Sequence, residues 1–241
     1  MMRTAVIMAA GLGTRFGAKT EKIPKAFIEV SGKSMIIRSI EILIDCGIKR
    51  IIIGTGYKKE YFEGLKEKYP QIECCFSKNY AKTNSMYTLY NLREVIGNDD
   101  FILLESDLVF EKKAITSLMK NKHENIMLIT PVMKFQDQYY VEYDEKGNLK
   151  DCSTDKTAIC PNGELVGIHK LSNKFFNLMC EEYSKIINDK PKLGYEYQLL
   201  FMSQQILPLF VLKEDNLLWY EIDDENDLDY AEKNIMTKME D

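Results

Sequence analysis

The feature that most constrains the fold is an apolar run near the start of the chain, Thr4–Ala10, which leads directly into the glycine-rich stretch AAGLGTRF. The run has the length and composition of a buried strand. A glycine-rich loop directly after a strand lies at the carboxyl edge of a sheet, where open α/β folds bind their ligands. This part of the chain therefore predicts an α/β fold with a binding site beside the first strand.

Short apolar runs recur along the chain and alternate with longer segments of helical period. This alternation is typical of a parallel sheet covered by helices. The stretch YYVEYDEKGNLKDCS alternates about Gly147, which predicts a small β-hairpin laid over the site. The predicted fold is therefore Rossmann-like, with a mixed, mostly parallel sheet flanked by helices. The predicted strands are Thr4–Ala10, Arg50–Gly54, Glu73–Phe76, Phe101–Glu105, Ile126–Thr130, Leu165–Lys170, Pro208–Lys213 and Leu218–Glu221, and the predicted helices are Met35–Ile44, Lys58–Tyr69, Ser85–Ile96, a segment from Ser172 to about Asn188 and one from about Glu225.

Composition limits the class of protein. A chain of 241 residues with 45% hydrophobic content can bury one substantial core, so we expect a single domain over residues 1–241. The net charge of −5 argues against nucleic acid as a partner. No apolar run approaches the roughly 18 residues that cross a bilayer, and no signal-peptide cleavage pattern follows Arg3, so we expect a cytoplasmic protein without a membrane partner. The sequence predicts no particular oligomeric state.

The glycine-rich loop has the chemistry of a phosphate site. Gly11 and Gly13 allow the backbone to approach a phosphate closely, and Arg15 adds a fork of donors that suits phosphate oxygens. The Lys-Ser/Thr pair of a Walker loop is missing, and Phe16 stands where the dinucleotide fingerprint needs its third glycine. A nucleoside triphosphate is therefore the expected ligand. The residues assigned to it in this loop are Ala10, Gly11, Gly13, Thr14 and Arg15.

Lys25 follows Pro24, whose ring fixes the backbone there, and we expect it to reach the α-phosphate. Together, MAAGLGTRF and KIPKAFIEVSGKSMI resemble the signature of the nucleotidyltransferase family that joins a nucleoside monophosphate to a phosphorylated small molecule. The stretches LLESDLVF and WYEIDDENDLDYAEK occur at the relative positions expected for that family. The resemblance implies the nucleotide-diphospho-sugar transferase type of fold, with Arg15 and Lys25 holding the triphosphate as catalytic residues.

Asp107 comes just after the predicted strand Phe101–Glu105, at the same sheet edge as the glycine loop. A carboxylate there suits Mg²⁺, which prefers oxygen ligands and bridges phosphate oxygens in such reactions. The resemblance places a second ligand in EIDDEN, where Asp223 matches the family position better than Asp224. Asp224 is also a candidate N-cap of the last helix. We therefore expect Mg²⁺ as the cofactor, held by Asp107 and Asp223.

The stretch SKNYAKTNSMYTLYNL resembles the segment of the phosphocholine and 2-aminoethylphosphonate cytidylyltransferases that approaches the base and the acceptor. This implies that Thr83 and Ser85 bind the nucleotide, while Gly54 and Gly56 let a loop fit under a pyrimidine. IIIGTGYKKEYFEGL, TNSMYTLY, LLESDLVFE and GELVGIHKLS are more similar to the 2-aminoethylphosphonate branch. The residues themselves do not distinguish CTP from UTP.

An acceptor with an anionic and a cationic end needs a matching group for each. Lys156 is the candidate for the phosphonate, and Asp137 or Glu196 is the candidate for the ammonium. Tyr140 is a candidate ring face for a cation, as are Tyr195 and Tyr197. Neither histidine has a spacing that suggests base or nucleophile chemistry.

The resulting hypothesis is Mg²⁺-dependent transfer of CMP from CTP to 2-aminoethylphosphonate, with release of pyrophosphate. The expected partners are CTP and a small zwitterionic phosphonate or phosphate monoester. Phosphocholine cytidylylation and transfer to a sugar 1-phosphate are alternatives on the same scaffold. A catalytically silent nucleotide-binding domain is a further alternative, which the presence of Arg15, Lys25, Asp107 and Asp223 disfavours.

Overall fold

The structure is a computed structural model that describes residues 2–134 and 138–239. Its strands are β1 Thr4–Ala9, β2 Glu29–Val30, β3 Lys33–Ser34, β4 Arg50–Thr55, β5 Ile72–Phe76, β6 Phe101–Glu105, β7 Leu108–Phe110, β8 Ile126–Thr130, β9 Tyr140–Tyr143, β10 Leu149–Ser153, β11 Gly163–Leu171, β12 Phe210–Lys213 and β13 Trp219–Glu221. Its α-helices are α1 Ala18–Lys22, α2 Met35–Asp45, α3 Lys59–Gly64, α4 Ser85–Asn91, α5 Arg93–Ile96, α6 Lys113–Lys120, α7 Asn173–Ser184, α8 Tyr195–Gln205 and α9 Glu225–Tyr230.

The main sheet has the order β10-β9-β11-β6-β1-β4-β5, with β8 and β12 joined to it through β11. Strands β6, β1, β4 and β5 are parallel neighbours, while β11 runs antiparallel to β6. Two short ribbons, β2–β3 and β7–β13, lie outside this sheet. The predicted α/β fold, with a mixed sheet flanked by helices, is confirmed.

Strand β1 is central because both of its faces are buried. Ala5 and Ile7 pack into the core on one side of the sheet, and Val6 packs into the core on the other side. The register pairs Ala9 with Thr55 of β4 and Met8 with Glu105 of β6. The carboxyl ends of the three strands therefore lie at one edge, and the rigid core fixes the position of the loops that leave it.

Most predicted elements are present with small changes at their ends. The predicted helix from Lys58 is shorter, because α3 ends at Gly64 and a single 3₁₀ turn follows it. Helix α7 begins where predicted, since the Ser172 side chain accepts a hydrogen bond from the Phe175 amide. The elements that were not predicted are helices α1, α6 and α8 and the short strands β2, β3 and β7. Within the described residues, no helix is long and apolar enough to cross a membrane.

The predicted hairpin about Gly147 exists, as strands β9 and β10 pair antiparallel. It is the edge of the main sheet and packs against α8, with Leu149 and Cys152 in the same core as Leu199. The residues that enter it, Gln138 and Tyr139, are the ones that line the site cavity.

Candidate active site

A cavity of about 550 Å³ opens at the carboxyl ends of β1 and β6. Its wall comes from stretches that are far apart in the sequence. These stretches are residues 8–15, 24–26, 80–81, 83–85, 105–107, 138–139, 165–167 and 195–196, together with Phe62, Thr88, Glu221 and Asp223.

The glycine loop forms one end of the cavity. Gly13 has a left-handed backbone, with φ of +64°, and a Cβ there would lie 2.8 Å from Cβ of Lys25. The Thr20 hydroxyl donates a hydrogen bond to the Gly13 carbonyl at 2.9 Å. Only glycine combines this φ with such close approach at low cost. The loop is therefore built to bring Lys25 against it, and five predicted residues (Ala10, Gly11, Gly13, Thr14 and Arg15) line the cavity.

Lys25 lies at the start of a 3₁₀ turn behind Pro24. Its Nζ is 2.6 Å from Oδ2 of Asp107 and 2.5 Å from Oδ1 of Asp223. Burial lowers the pKa of Lys25, but the attraction of the two carboxylates outweighs it, so the pKa lies above its usual value. Lys25 is therefore a buried cation between the two predicted metal ligands.

The ribbon β7–β13 holds these two aspartates side by side. Asp107 precedes β7, Asp223 follows β13, and Glu221 pairs with Leu108. The Ile222 amide donates to the Asp107 carbonyl at 3.0 Å. A backbone ladder thus brings together two carboxylates that are distant in sequence.

Asp223 and Asp224 have different local roles. Oδ1 of Asp223 accepts from Arg15 Nη2 at 2.7 Å, whereas Asp224 caps α9 by accepting from the amides of Asn226 and Asp227. The carboxylate of Asp223 thus faces the cavity and that of Asp224 faces the helix end.

Two further carboxylates also line the cavity, those of Glu105 and Glu221. The sequence prediction missed both. One oxygen from each of Glu105, Asp107 and Glu221 lies within 4.8 Å of the others. Burial, and then the charges of Asp107 and Asp223, raise the pKa of Glu221 to about 8. Their spacing from the predicted ligands could have revealed them. Residues two apart on an extended chain share one face, as Glu105 does with Asp107 and Glu221 with Asp223. These hard oxygen donors fit Mg²⁺ well.

Glu196 also lines the cavity, from the first turn of α8. It is 6% exposed, and its Oε2 has no hydrogen-bond partner within residues 2–134 and 138–239. Burial raises its pKa to about 7. A buried carboxylate oxygen without a partner is costly, because nothing replaces the water that solvated it.

Residues 80–81 and 83–85 line the cavity, with the predicted Thr83 and Ser85 among them. Gly54 and Gly56 are outside the lining that the described residues form. A Cβ on Gly54 would contact Thr88 at 3.0 Å, and one on Gly56 would lie 2.4 Å from the Ala10 carbonyl. These two glycines therefore serve close packing beneath the site.

Two further predicted acceptor residues, Tyr140 and Lys156, are not among the residues that line this cavity. Tyr140 is a buried residue of β9 and is not among the residues that line the cavity. Lys156 lies over the Tyr140 ring, with Nζ 5.8 Å from its centroid. Asp137 lies outside the described residues.

The fold and the cavity together define a nucleotide-binding α/β site of the transferase type. Residues 5–159, more than half of the chain, match the MobA-like NTP transferase domain. The chain belongs to this family.

Two characterised relatives are similar in sequence. The choline-phosphate cytidylyltransferase of Streptococcus pneumoniae is 32% identical over 154 residues, which cover 64% of this chain and 65% of that protein. The 2-aminoethylphosphonate cytidylyltransferase of Lancefieldella rimae is 37% identical over 111 residues, which cover 46% of this chain and 45% of that protein. The chain thus spans less than two thirds of the length of each of these relatives.

Solved structures resemble the whole chain. The CTP:phosphocholine cytidylyltransferase from Streptococcus pneumoniae superimposes with a TM-score of 0.80 at 26% identity, covering 97% of this chain and 99% of that one. The inositol-1-phosphate CTP transferase from T. maritima has a TM-score of 0.84 at 17% identity, covering 98% and 96%. The second likeness concerns the fold alone.

Proposed function

We propose that this protein transfers CMP from CTP to 2-aminoethylphosphonate and releases pyrophosphate, with residues 1–241 acting as one domain. The observation that carries the proposal is the charge pattern of the cavity. Arg15 and Lys25 line it beside the glycine loop, and Glu196, with its unpartnered Oε2, lines it at the start of α8. A triphosphate fits the two cations and an ammonium fits Glu196.

At the phosphate end, the glycine loop offers backbone amides, and Arg15 and Lys25 offer positive charge. Both cations are held by Asp223 in the structure, so they are kept near the place where the α-phosphate would lie. Charge on the phosphate oxygens is neutralised there as the reaction proceeds. In this proposal Lys25 moves from its carboxylates to the phosphate when the nucleotide binds.

Mg²⁺, when bound, supplies further charge neutralisation and orients the phosphates. Asp107 and Asp223 are the proposed ligands, and Glu221 and Glu105 supply further oxygens beside them. Lys25 shares the oxygens of Asp107 and Asp223. Asp107 and Asp223 therefore pair with the Lys25 ammonium in the ligand-free protein, and the same two carboxylates would hold Mg²⁺ once it binds.

The proposed chemical step is one in-line displacement. A phosphonate oxygen attacks the α-phosphorus, a new P–O bond forms, and the bond from the α-phosphorus to the bridging oxygen of pyrophosphate breaks. The electron pair of the broken bond leaves with pyrophosphate. The attacking oxygen is already ionised at neutral pH, so the site needs alignment and charge rather than a general base.

Phosphocholine is the second candidate acceptor, favoured by the relative from Streptococcus pneumoniae. Rings suited to a quaternary ammonium are present, since Tyr139 and Tyr197 meet edge to face at 5.6 Å. The buried carboxylates favour the primary ammonium, because its three N–H groups can satisfy them and three methyl groups cannot.

The test is pyrophosphate release by the purified protein with Mg²⁺. CTP and UTP are each paired with 2-aminoethylphosphonate, phosphocholine and glucose 1-phosphate. The proposal expects turnover with CTP and 2-aminoethylphosphonate, and turnover lower by roughly 10²-fold or more in the Asp223→Asn variant. Preference for phosphocholine would move the assignment to the second candidate, and preference for a sugar phosphate or UTP would overturn it.

A further inference from the structure

His169 is a fully buried residue of β11 that does not line the cavity. Burial lowers its pKa to about 3, so the ring is neutral at physiological pH. Its Nε2 lies 3.3 Å from the hydroxyl oxygen of Tyr195. The ring planes of His169 and Tyr195 are nearly perpendicular, with centroids 5.4 Å apart. A neutral imidazole thus supports a tyrosine of the cavity wall from behind.

The Tyr195 hydroxyl also contacts a carboxylate that lines the same cavity. The hydroxyl donates to Oε1 of Glu105 at 2.6 Å. Because its hydrogen goes to Glu105, the hydroxyl oxygen is left to accept, and the matching form of His169 carries its hydrogen on Nε2.

The surroundings of the other ring nitrogen of His169 also favour a hydrogen on Nε2. Nδ1 is buried and has no hydrogen-bond partner in the described part of the chain. A bare acceptor nitrogen fits there better than an N–H group, which would be a stranded donor. The chain of donors therefore runs from His169 to Tyr195 to Glu105.

Neighbouring contacts fix the same group from other directions. A Cβ on Gly167 of β11 would lie 2.9 Å from Oε2 of Glu105, so the strand backbone packs directly against the carboxylate. The Tyr195 amide donates to the Ser85 hydroxyl at 3.0 Å. Tyr195 is therefore fixed at its backbone by α4 and at its hydroxyl by His169 and Glu105.

We propose that His169 is a positioning residue for the acceptor: it orients Tyr195, and with it the start of α8 that carries Glu196, on the wall that meets the cationic end of the acceptor. The inference rests on the proposed function for the identity of that acceptor. His169 acts from outside the cavity and contacts neither substrate. Loss of the His169 donor therefore weakens acceptor use and leaves CTP binding unchanged.

The kinetic test compares His169→Phe with His169→Gln. The first keeps a flat ring and removes the donor, whereas the second keeps an N–H group that can reach Tyr195. We expect His169→Phe to raise KM for the acceptor by roughly 10-fold or more, with KM for CTP within about twofold of the wild type. His169→Gln should recover a large part of the loss. His123→Phe is the matched control, because His123 stacks on Phe210 beside a different cavity.

A second pair of variants covers the case in which His169→Phe does not fold. Tyr195→Phe removes the hydroxyl that joins His169 and Glu105, and Tyr183→Phe removes a buried hydroxyl without a partner among the described residues. We expect only the first to raise KM for the acceptor. Combining His169→Phe with Tyr195→Phe should add little to either alone, because both break one chain. Equal effects on both KM values, or full additivity, would overturn the inference.

A spectroscopic readout separates positioning from packing. The chain has two histidines, so long-range ¹H–¹⁵N spectra can assign both. We expect His169 to stay neutral with hydrogen on Nε2 from about pH 5 to about pH 8, and an Nδ1–H form would contradict the proposed direction. If the wild type uses no acceptor of the panel, the proposed function fails while the tautomer result still stands or falls on its own.

Discussion

Nζ of Lys25 lies 2.5 Å from Oδ1 of Asp223, although the two residues are separated by 198 positions in the sequence. The Lys25 side chain is 13% exposed and the Asp223 side chain 6%. Two opposite charges are thus held together away from solvent. In the absence of substrates, the lysine neutralises a carboxylate that is also suited to a divalent cation.

Replacing Lys25 should reduce turnover strongly. A cation aimed at charge on the α-phosphate typically contributes about 3 kcal/mol to the transition state, so Lys25→Met should lower kcat by roughly 10²-fold to 10³-fold. Steady-state kinetics on a variant whose far-ultraviolet circular dichroism matches the wild type would measure this. Near-normal turnover would remove Lys25 from the reaction.

The same substitution should increase metal binding in the absence of nucleotide. Because Lys25 occupies oxygens of Asp107 and Asp223, Lys25→Met should bind Mn²⁺ at least about 10-fold more tightly, as measured by electron paramagnetic resonance. Arg15→Met is the matched control. Arg15 pairs with Asp223 from a side chain that is 54% exposed, so its loss should have a smaller effect. Unchanged or weaker Mn²⁺ binding by Lys25→Met would show that the lysine does not compete with the metal.

The aspartates should separate into metal ligands and a helix cap. Asp107→Asn or Asp223→Asn should lower activity by roughly 10²-fold or more, with part recovered at high Mg²⁺. Asp224→Asn keeps an N-cap side chain and should be mild, while Asp224→Ala should cost about 1 kcal/mol of stability. Mg²⁺ titrations and urea unfolding measure the two effects. A critical Asp224 beside a dispensable Asp223 would reverse the assignment.

Glu196 should make stability depend on pH. Burial raises its pKa from 4.5 in the unfolded chain to about 7, so the folded chain holds the proton more tightly. The contribution of Glu196 to the free energy of unfolding is therefore most favourable below about pH 4.5 and is lost as the pH rises through about 7. Between about pH 5 and pH 8, the ligand-free wild type should lose roughly 1 to 3 kcal/mol relative to Glu196→Gln. Urea unfolding measures this, with the exposed Glu94→Gln as a control that should follow the wild type.

The acceptor preference should depend on the same carboxylate. We expect kcat/KM for 2-aminoethylphosphonate to exceed that for phosphocholine by at least about 10²-fold, because methyl groups would leave buried acceptors unpaired. Glu196→Ala should narrow the ratio by weakening the aminoethyl substrate selectively. Competition kinetics at fixed CTP measure both values. Equal use of the two acceptors would contradict the preference but not the transfer of CMP.

The sequence predicted features that depend on local pattern. The strand before Gly11 and the strand before Asp107 were visible as apolar runs, and a parallel sheet brings such strand ends to one edge. Helix α8 was not predicted, because Glu196 and Gln198 lie on its buried face and disguise the amphipathic pattern. The ion pair between Lys25 and Asp223 could not be predicted either, since it depends on tertiary packing.

The pairing of β7 with β13 also determines where this chain can change its length. Side chains alternate along a strand, so a shift of one residue turns every side chain to the opposite face. An insertion or deletion between Trp219 and Asp223 would therefore turn a carboxylate out of the cavity. Asp215 and Asn216 are exposed in the preceding loop, where added residues would leave the ladder intact. Evolution can thus vary the loop before β13 freely, while the five-residue stretch that ends at Asp223 must keep its length.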